Sequence, residues 1–349
     1  MSVDLAKSTG GPIASLVDIE RLHELLAGYA VTSAIVAAAE LGIVDQLAAG
    51  PLSSEEIARR CSAAHDPMHR LLRALAGVGV VHEQEQGLFS LTSTGAALRS
   101  DVAQSLHAIV TMVGSEWYWR SWGALAHAVR TGSSAFQHVF DADFFSYIRQ
   151  RPEVARGFHA GMTSLSSISD GVLASAYDFS QHRHVVDVGG GRGGLLAAIL
   201  ESAPGLRGTL YDQADAIASA VPALTSGALA HRCTVVAGDF FESVPTGADA
   251  YVLKHVLHGL DHDKAVTLLR RVGEAMGQGG WLVVVDMAIS GPNEAGYAKL
   301  NDLGMMLLSS NGRERTEEEF VALFTSAGFR APTITRVQMG LEMLVACRA

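Results

Sequence analysis

Cysteine is nearly absent from the chain. Cys61, Cys233 and Cys347 are odd in number, far apart and without a CxxC pair. That argues against a disulfide framework and against a cysteine-rich zinc site, and it fits a reduced, cytoplasmic setting. An excess of positive charge is also lacking. The 26 Lys and Arg are outnumbered by 36 Asp and Glu, for a formal charge of −10. An acidic chain is a poor default binder of nucleic acid or anionic membrane. No uncharged apolar run reaches the ~18 residues of a membrane span. The leading stretch, Leu25 to Ala39, is bounded by Glu24 and Glu40 and contains Thr32 and Ser33. The opening residues MSVDLAKSTGG hold no apolar signal-peptide core. What is plentiful is apolar material. Hydrophobic residues make up 48% of 349, which excludes global disorder and, at roughly 100–200 residues per domain, supplies about two cores.

Residues 1–14 read as a disordered tail. From Leu16 to Leu47 apolar residues recur at helical spacing (Leu22, Leu25, Leu26, Tyr29, Ile35, Val36, Ala39). Ser53 or Ser54 can cap a helix with acidic residues in its first turn. A further helix starts near Pro67, and short strands over Val78–His82 and Leu88–Leu91 flank a turn at Glu83–Gly87. Helix, turn, helix and β-ribbon in that order predict a winged-helix module over 15–100. Residues 101–180 read as helical and rich in bulky rings, among them Trp117, Trp122, Phe136, Phe144 and Phe158. These rings are either ordinary core or the lining of a pocket for a flat ligand. Over 181–349 short β-branched runs alternate with helical ones: His184–Val188, Gly208–Tyr211, Thr234–Val236, Ala250–Leu253 and Trp281–Val285, with a helix at Asp263–Met276. That alternation predicts an α/β, Rossmann-like doubly wound sheet. A helix at Glu317–Ala327 and strands at about 332–336 and 341–346 close the chain.

The sharpest local signal is Asp187-Val-Gly189-Gly190-Gly191-Arg192-Gly193-Gly194, between a strand and a helix. Gly189, Gly191 and Gly194 satisfy GxGxxG, a spacing that serves several nucleotide-like ligands. Asp212 ends the next strand, 18 positions beyond Gly194, where a carboxylate accepts the ribose hydroxyls of an adenosine cofactor; the bland alternative is a loop carboxylate. Asp187 discriminates among cofactors. A carboxylate beside a pyrophosphate costs electrostatic energy, whereas the sulfonium and ammonium of S-adenosylmethionine suit it. Asp239, at the end of the third strand, is placed to bond an adenine amino group with Phe240 against the ring, or else to act as a helix N-cap.

Lys254-His255-Val-Leu-His258-Gly-Leu-Asp261-His262 follows the fourth strand, at the sheet edge where ligands bind in this architecture. One histidine there can act as a general base. His255, His258 and His262 could instead gather a metal on a helix face, but no HExxH occurs and Gly259 interrupts a helix. Solvation is the plain alternative for His262 and His255. Thr316 is a good N-cap followed by Glu317 to Glu319, and Glu314, in the preceding glycine-containing loop, is the better site candidate.

Five segments in this order, Val186–Gly193, Leu210–Asp212, Gly238–Glu242, Leu253–His258 and Gly312–Thr316, together resemble the class I S-adenosylmethionine-dependent O-methyltransferases of the caffeate type, including bacterial natural-product enzymes. The resemblance spans about 15–349. It implies a winged-helix dimerisation domain, a homodimer, and S-adenosylmethionine as the cofactor without a metal. By resemblance, Asp212 holds the ribose, Asp239 and Phe240 the adenine, and Lys254, Met162 and Ser166 the methionine end, beside Asp187, Gly189 and Gly191. His258 matches the catalytic base, and Asp286 and Glu314 match the acids that bracket it. Phe158, Met162, Asn301, Met305 and Met306 match substrate-pocket positions. Two departures stand out. Asp286 replaces the usual Glu, and Gly259-Leu260 follows the base in place of Asp-Trp.

The implied chemistry is deprotonation of a hydroxyl as it attacks the methyl group in line with the departing sulfur. A base contributes roughly 10²–10⁴-fold, and alignment up to ~7–11 kcal/mol. Other readings of the same sequence are an N-methyltransferase, a non-methylating hydroxylase or decarboxylase of this fold, a nicotinamide oxidoreductase and a winged-helix regulator. The regulator is disfavoured because the second helix offers only Arg70 and Arg73, while Glu83 and Glu85 on the wing repel phosphates. The expected acceptor is a planar, largely apolar phenol or enol.

Overall fold

The computed structural model describes residues 14–102, 104–277 and 279–349. The expected tail over 1–14 lies outside them except for Ala14. The chain divides into two compact units, one ending at Val102 and one comprising the rest.

The first unit opens with helices Leu16–Leu26 and Gly28–Glu40. Ser15 starts the first with a capping box: Asp18 N–H donates to Ser15 Oγ at 3.2 Å, and Ser15 N–H donates to Asp18 Oδ2 at 2.8 Å. Within this unit Leu16, Val17, Leu22, Leu25, Leu26 and Tyr29 are all more than half exposed, an apolar face far larger than scattered surface residues explain. Although no uncharged apolar run is that long, Leu16–Glu40 (25 residues) contains an 18-residue window of mean hydropathy 1.4, by length and composition apolar enough to cross a membrane. Such a window admits a charged residue, which an uncharged run does not.

Ser53 caps the helix Ser54–Arg60, accepting from Glu56 N–H. Strands β1 (Leu52–Ser53), β2 (Val81–Glu83) and β3 (Leu88–Leu91) form an antiparallel sheet in the order β1-β3-β2. The strand expected from Val78 begins only at Val81. The helix His65–Gly77 runs on into its C-cap, with Val78 N–H bonded to Ala74 and Val80 N–H to Leu75, and Gly79 turns the chain at φ 77°.

The second unit is built on β4 (His184–Val188), β5 (Arg207–Asp212), β6 (Cys233–Ala237), β7 (Ala250–Lys254), β8 (Trp281–Ile289), β9 (Arg315–Thr316), β10 (Thr333–Arg336) and β11 (Leu341–Cys347). The order is β10-β11-β8-β7-β4-β5-β6, with β9 against β8. β4 to β8 are parallel, whereas β10 and β11 are antiparallel. β4 and β7 are buried on both faces: Val185, Val186, Val188, Tyr251, Val252 and Leu253 are fully buried, the pattern of a parallel sheet covered by helices. Each such side chain contributes roughly 1.5–3 kcal/mol of burial.

β8 runs four residues beyond the expected Val285. Pairing with β11 (Met287 opposite Leu341) and with β9 (Ala288 opposite Arg315) holds the extension. That places Asp286 inside a strand, fully buried. The 25-residue helix Pro152–Ala176 begins at a proline in its first turn. The aromatic segment divides between the two roles open to it. Trp117, Phe136 and Phe144 are buried core, while Phe158 and Met162 are only half-buried against them.

Candidate active site

The glycine loop joins β4 to the helix Gly194–Ser202. Gly189, Gly191 and Gly193 have φ of 71°, 57° and 80°, a region open to glycine at no steric cost. At Gly189 a side chain would also meet Val256 Cγ2 at 2.8 Å. The loop borders a cavity of about 510 Å³ together with Met162, Ser166, Asp170, Asp187 and Lys254; the exposed Arg149 and Arg192 also border it. Six of the expected cofactor residues therefore meet there: Met162, Ser166, Asp187, Gly189, Gly191 and Lys254.

The other three lie elsewhere along the same sheet edge. Asp212 does not line the cavity. Its Oδ2 accepts Gly191 N–H at 2.7 Å and its Oδ1 accepts Gln213 N–H at 2.6 Å, so it pins the tip of the loop. Asp239 accepts Phe241 N–H at 2.7 Å and begins no helix. Phe240 packs against the core close to Gly189.

Asp187 is 1% exposed, and neither of its carboxylate oxygens has a partner among the described residues. Burial, with Asp170 beside it, pushes its carboxyl up to about 7 against the opposing pull of Lys254. Asp170 itself pairs with Lys254 Nζ at 2.5 Å, and Lys254 also reaches Ser166 O at 3.3 Å. Lys254 pairs with Asp170, so Asp187 is a buried acid without a partner of its own, a position that suits a cationic ligand. Asp170 escaped sequence reasoning, because a carboxylate mid-helix belongs to no motif; only its position four residues after Ser166, on the same helix face, could have drawn attention.

A second cluster lies where β7 and β8 end. His258 sits in the short turn Leu257–Gly259. Its Nδ1 is 3.1 Å from Glu314 Oε1 and 3.4 Å from Asp286 Oδ1. Both acids are buried, at 1% and 0% exposure. Glu314 is fixed in turn, its Oε1 accepting from Asn301 Nδ2 at 2.6 Å and its N–H donating to Asp302 at 2.8 Å. Asn301, expected in the substrate pocket, bonds the acid.

Burial alone would pull the His258 imidazole down, but Asp286 and Glu314 outweigh it and push it up to about 8. Burial likewise works against ionising Asp286, yet His258 and His255 hold its carboxyl below the usual range. Arg315 was also missed by sequence reasoning. It is 3% exposed and donates to Leu257 O at 2.6 Å and Leu260 O at 2.7 Å, clamping the turn that carries His258. Leu260, in place of the usual tryptophan, packs on the core, and a side chain at Gly259 would meet open space. Met306 packs beside Ala128 and Leu307, and Met305 lies against Gly312. His262 opens the helix His262–Ala275 as an exposed residue, so the three-histidine face does not form; Asp286 stands in its place beside His255 and His258.

A family model described as an O-methyltransferase domain matches residues 122–330. The chain belongs to the O-methyltransferase family. A second model, the O-methyltransferase dimerisation domain, matches residues 23–101. A mitomycin biosynthesis 6-O-methyltransferase from Streptomyces lavendulae is 37% identical over 331 residues, 95% of this chain and 94% of that one. A phenazine-1-carboxylate N-methyltransferase from Pseudomonas aeruginosa is 30% identical, over 96% of this chain and 99% of its own. A calicheamicin-biosynthesis methyltransferase solved with bound S-adenosylhomocysteine superposes with a TM-score of 0.88 at 34% identity, covering 97% of this chain and 100% of that one. The methyl donor of this O-methyltransferase is S-adenosylmethionine, and the acidic, unpartnered floor under its glycine loop fits that cationic molecule.

Proposed function

We propose that this O-methyltransferase methylates a hydroxyl of a small aromatic or polyketide-like natural product, with His258 as general base. The observation that carries the reading is the pairing of His258 Nδ1 with Glu314 at 3.1 Å. A proton assigned to Nδ1 by that partner leaves the lone pair on Nε2, which is the tautomer a base needs. Asp286 and Glu314 then stabilise the imidazolium that forms, as in other acid–histidine pairs. Arg315 and Asn301 are positioning residues: one fixes the turn, the other fixes the acid.

S-adenosylmethionine supplies a methyl group activated on a sulfonium. Asp187, Lys254, Ser166 and Met162, with the backbone at Gly189 and Gly191, would hold its methionine end. Asp212, Asp239 and Phe240 would hold the adenosine. Phe158, Met162, Met305 and Met306 would offer apolar surface to a planar acceptor. The −10 charge and the carboxylates at both clusters disfavour a highly anionic one.

The exposed apolar residues of the first two helices, which from Leu25 onward lie inside the matched dimerisation domain, support a homodimer. We read the protein as a cytoplasmic enzyme of secondary metabolism with no nucleic-acid or membrane partner. The relatives include an N-methyltransferase, so family membership does not choose the acceptor atom; the acid-paired histidine favours a hydroxyl. Methyl transfer to phenols, compared with amines and sugars, is the test. Reaction with phenols that is lost in His258→Ala supports the reading, and reaction only with amines or sugars overturns it.

A further inference from the structure

The proposed base chemistry leaves His255 unused. This residue adopts a left-handed φ of 54°, and its N–H is bonded to Val285 O at 2.9 Å. Its ring stacks beside that of His258, with centroids 5.3 Å apart and planes 25° apart. His255 Nδ1 and both oxygens of Asp286 are buried without hydrogen-bond partners among the described residues. Left-handed backbone in a non-glycine residue is uncommon and carries a cost, and orphaned buried polar atoms carry another. Here the two occur together, next to the base.

The distances discriminate between uses. His255 Nδ1 is 3.5 Å and His258 Nδ1 3.4 Å from the same Asp286 Oδ1. A charge-assisted N–H···O bond is shorter, about 2.7–2.9 Å. Zinc bonds imidazole nitrogen at about 2.0–2.1 Å and carboxylate oxygen at about 2.0–2.2 Å, which sets two tetrahedral donors about 3.3–3.5 Å apart. The two separations from Asp286 Oδ1 match donors around one ion. The three ligand atoms lie within 4.8 Å of one another. Three protein donors leave the fourth tetrahedral position open to solvent or another ligand. Two imidazoles with carboxylates select zinc or a similar transition ion over magnesium or calcium, which prefer all-oxygen sites.

We propose that His255, His258 and Asp286 form an inhibitory site for a divalent transition metal of the zinc class. An ion on His258 Nδ1 takes the lone pair that forms there when the proton moves to Nε2. A ring protonated on Nε2 cannot accept the proton of an acceptor hydroxyl. The metal therefore switches off the base without entering the reaction. Inhibition rests on the reading of His258 as the base; binding does not.

The test uses the untagged full-length protein after chelator treatment, with three readouts: calorimetric titration with zinc, the visible bands of tetrahedral cobalt(II), and methyl-transfer rate with and without zinc. One zinc per chain is expected, together with tetrahedral cobalt bands and loss of turnover as zinc fills the site; magnesium has none of these effects. His255→Asn keeps a residue that tolerates the left-handed backbone. It is expected to weaken zinc at least tenfold and to abolish the cobalt bands, with its thermal midpoint as the control for folding. Asp286→Asn should do the same by a second route. Comparing rates with and without zinc inside each variant removes any change in basal activity. Absence of stoichiometric zinc binding in the parent, or undiminished binding in both variants, overturns the site. Zinc bound at this site with turnover unaffected overturns inhibition. A His258→Ala variant that keeps turnover overturns the base and leaves the binding result standing.

Discussion

Two buried aspartates in the second unit have opposite characters. Asp187, under the glycine loop, is 1% exposed, and Asp286, beside the histidines, is 0% exposed. Burial opposes the charge of both. Asp187 has another acid, Asp170, close by, and is pushed up to about 7. Asp286 has two imidazoles against it and is held low. Desolvation is thus a common starting cost, and the neighbours decide the sign. Each arrangement suits its own end of the site. An acid that lacks its counter-charge awaits a cationic ligand, and an acid that faces two imidazoles at 3.4 and 3.5 Å supports the imidazolium of His258.

The largest expected effect comes from removing what Asp286 supports. His258→Ala should lose at least roughly tenfold in turnover and up to 10²–10⁴-fold. Affinity for S-adenosylhomocysteine, measured by calorimetry, should change little. Full turnover in that variant would remove the base from the scheme. The converse change at the other end, Asp187→Asn, removes an acceptor for a charged ligand and should weaken cofactor binding by about ten- to a hundredfold, in line with about 1.5–3 kcal/mol for a hydrogen bond to a charged group. Its turnover at saturating cofactor should fall much less. If both substitutions affected the same parameter, the division of labour between the two aspartates would be lost.

pH sharpens the contrast further. With His258 pushed up to about 8, the base is protonated and idle below that value. Turnover of the chelator-treated enzyme should therefore rise through about pH 8. Glu314→Gln removes one of the acids that raise the imidazole, so the rising limb should move to lower pH. An unmoved limb would show that another group sets it.

The smallest effect concerns stability. Asp187 in the folded chain holds its proton up to about 7, whereas an unfolded aspartate loses it near 3.9. The folded state binds the extra proton between those values, so stability falls as pH rises through that window. Asp187→Asn cannot ionise, and its thermal midpoint should drop less than that of the parent between pH 5 and pH 8. Equal slopes would place the titrating group elsewhere.

Much of the sheet was legible because its strands are short and dense in β-branched residues. His184–Val188 and Leu88–Leu91 match the expected bounds, and the glycine run betrays its turn directly. The extension of β8 was not legible. Met287 to Ile289 carry no distinctive local pattern, and pairing with β9 and β11 keeps them extended. In the site, His258 and Glu314 were visible as polar residues in motifs, 56 positions apart, but their 3.1 Å contact was not. Asp170 sits mid-helix outside any motif, and Arg315, though inside the Gly312–Thr316 segment, gives no local sign of the carbonyls it reaches. The metal reading needed Asp286 in place of His262, because the turn at Leu257–Gly259 ends before a helix face could align three histidines.

The sequence by itself determined which local structures form and which chemical groups are available. Hydrophobic period, capping residues and glycine spacing act over a few positions and need no partner. The tertiary structure decided which groups meet and in what ionisation state. A carboxyl's proton affinity depends on the dielectric and charges within a few ångströms, and only the packed strands bring His255, His258, Asp286 and Glu314 together, or set Asp187 beside Asp170.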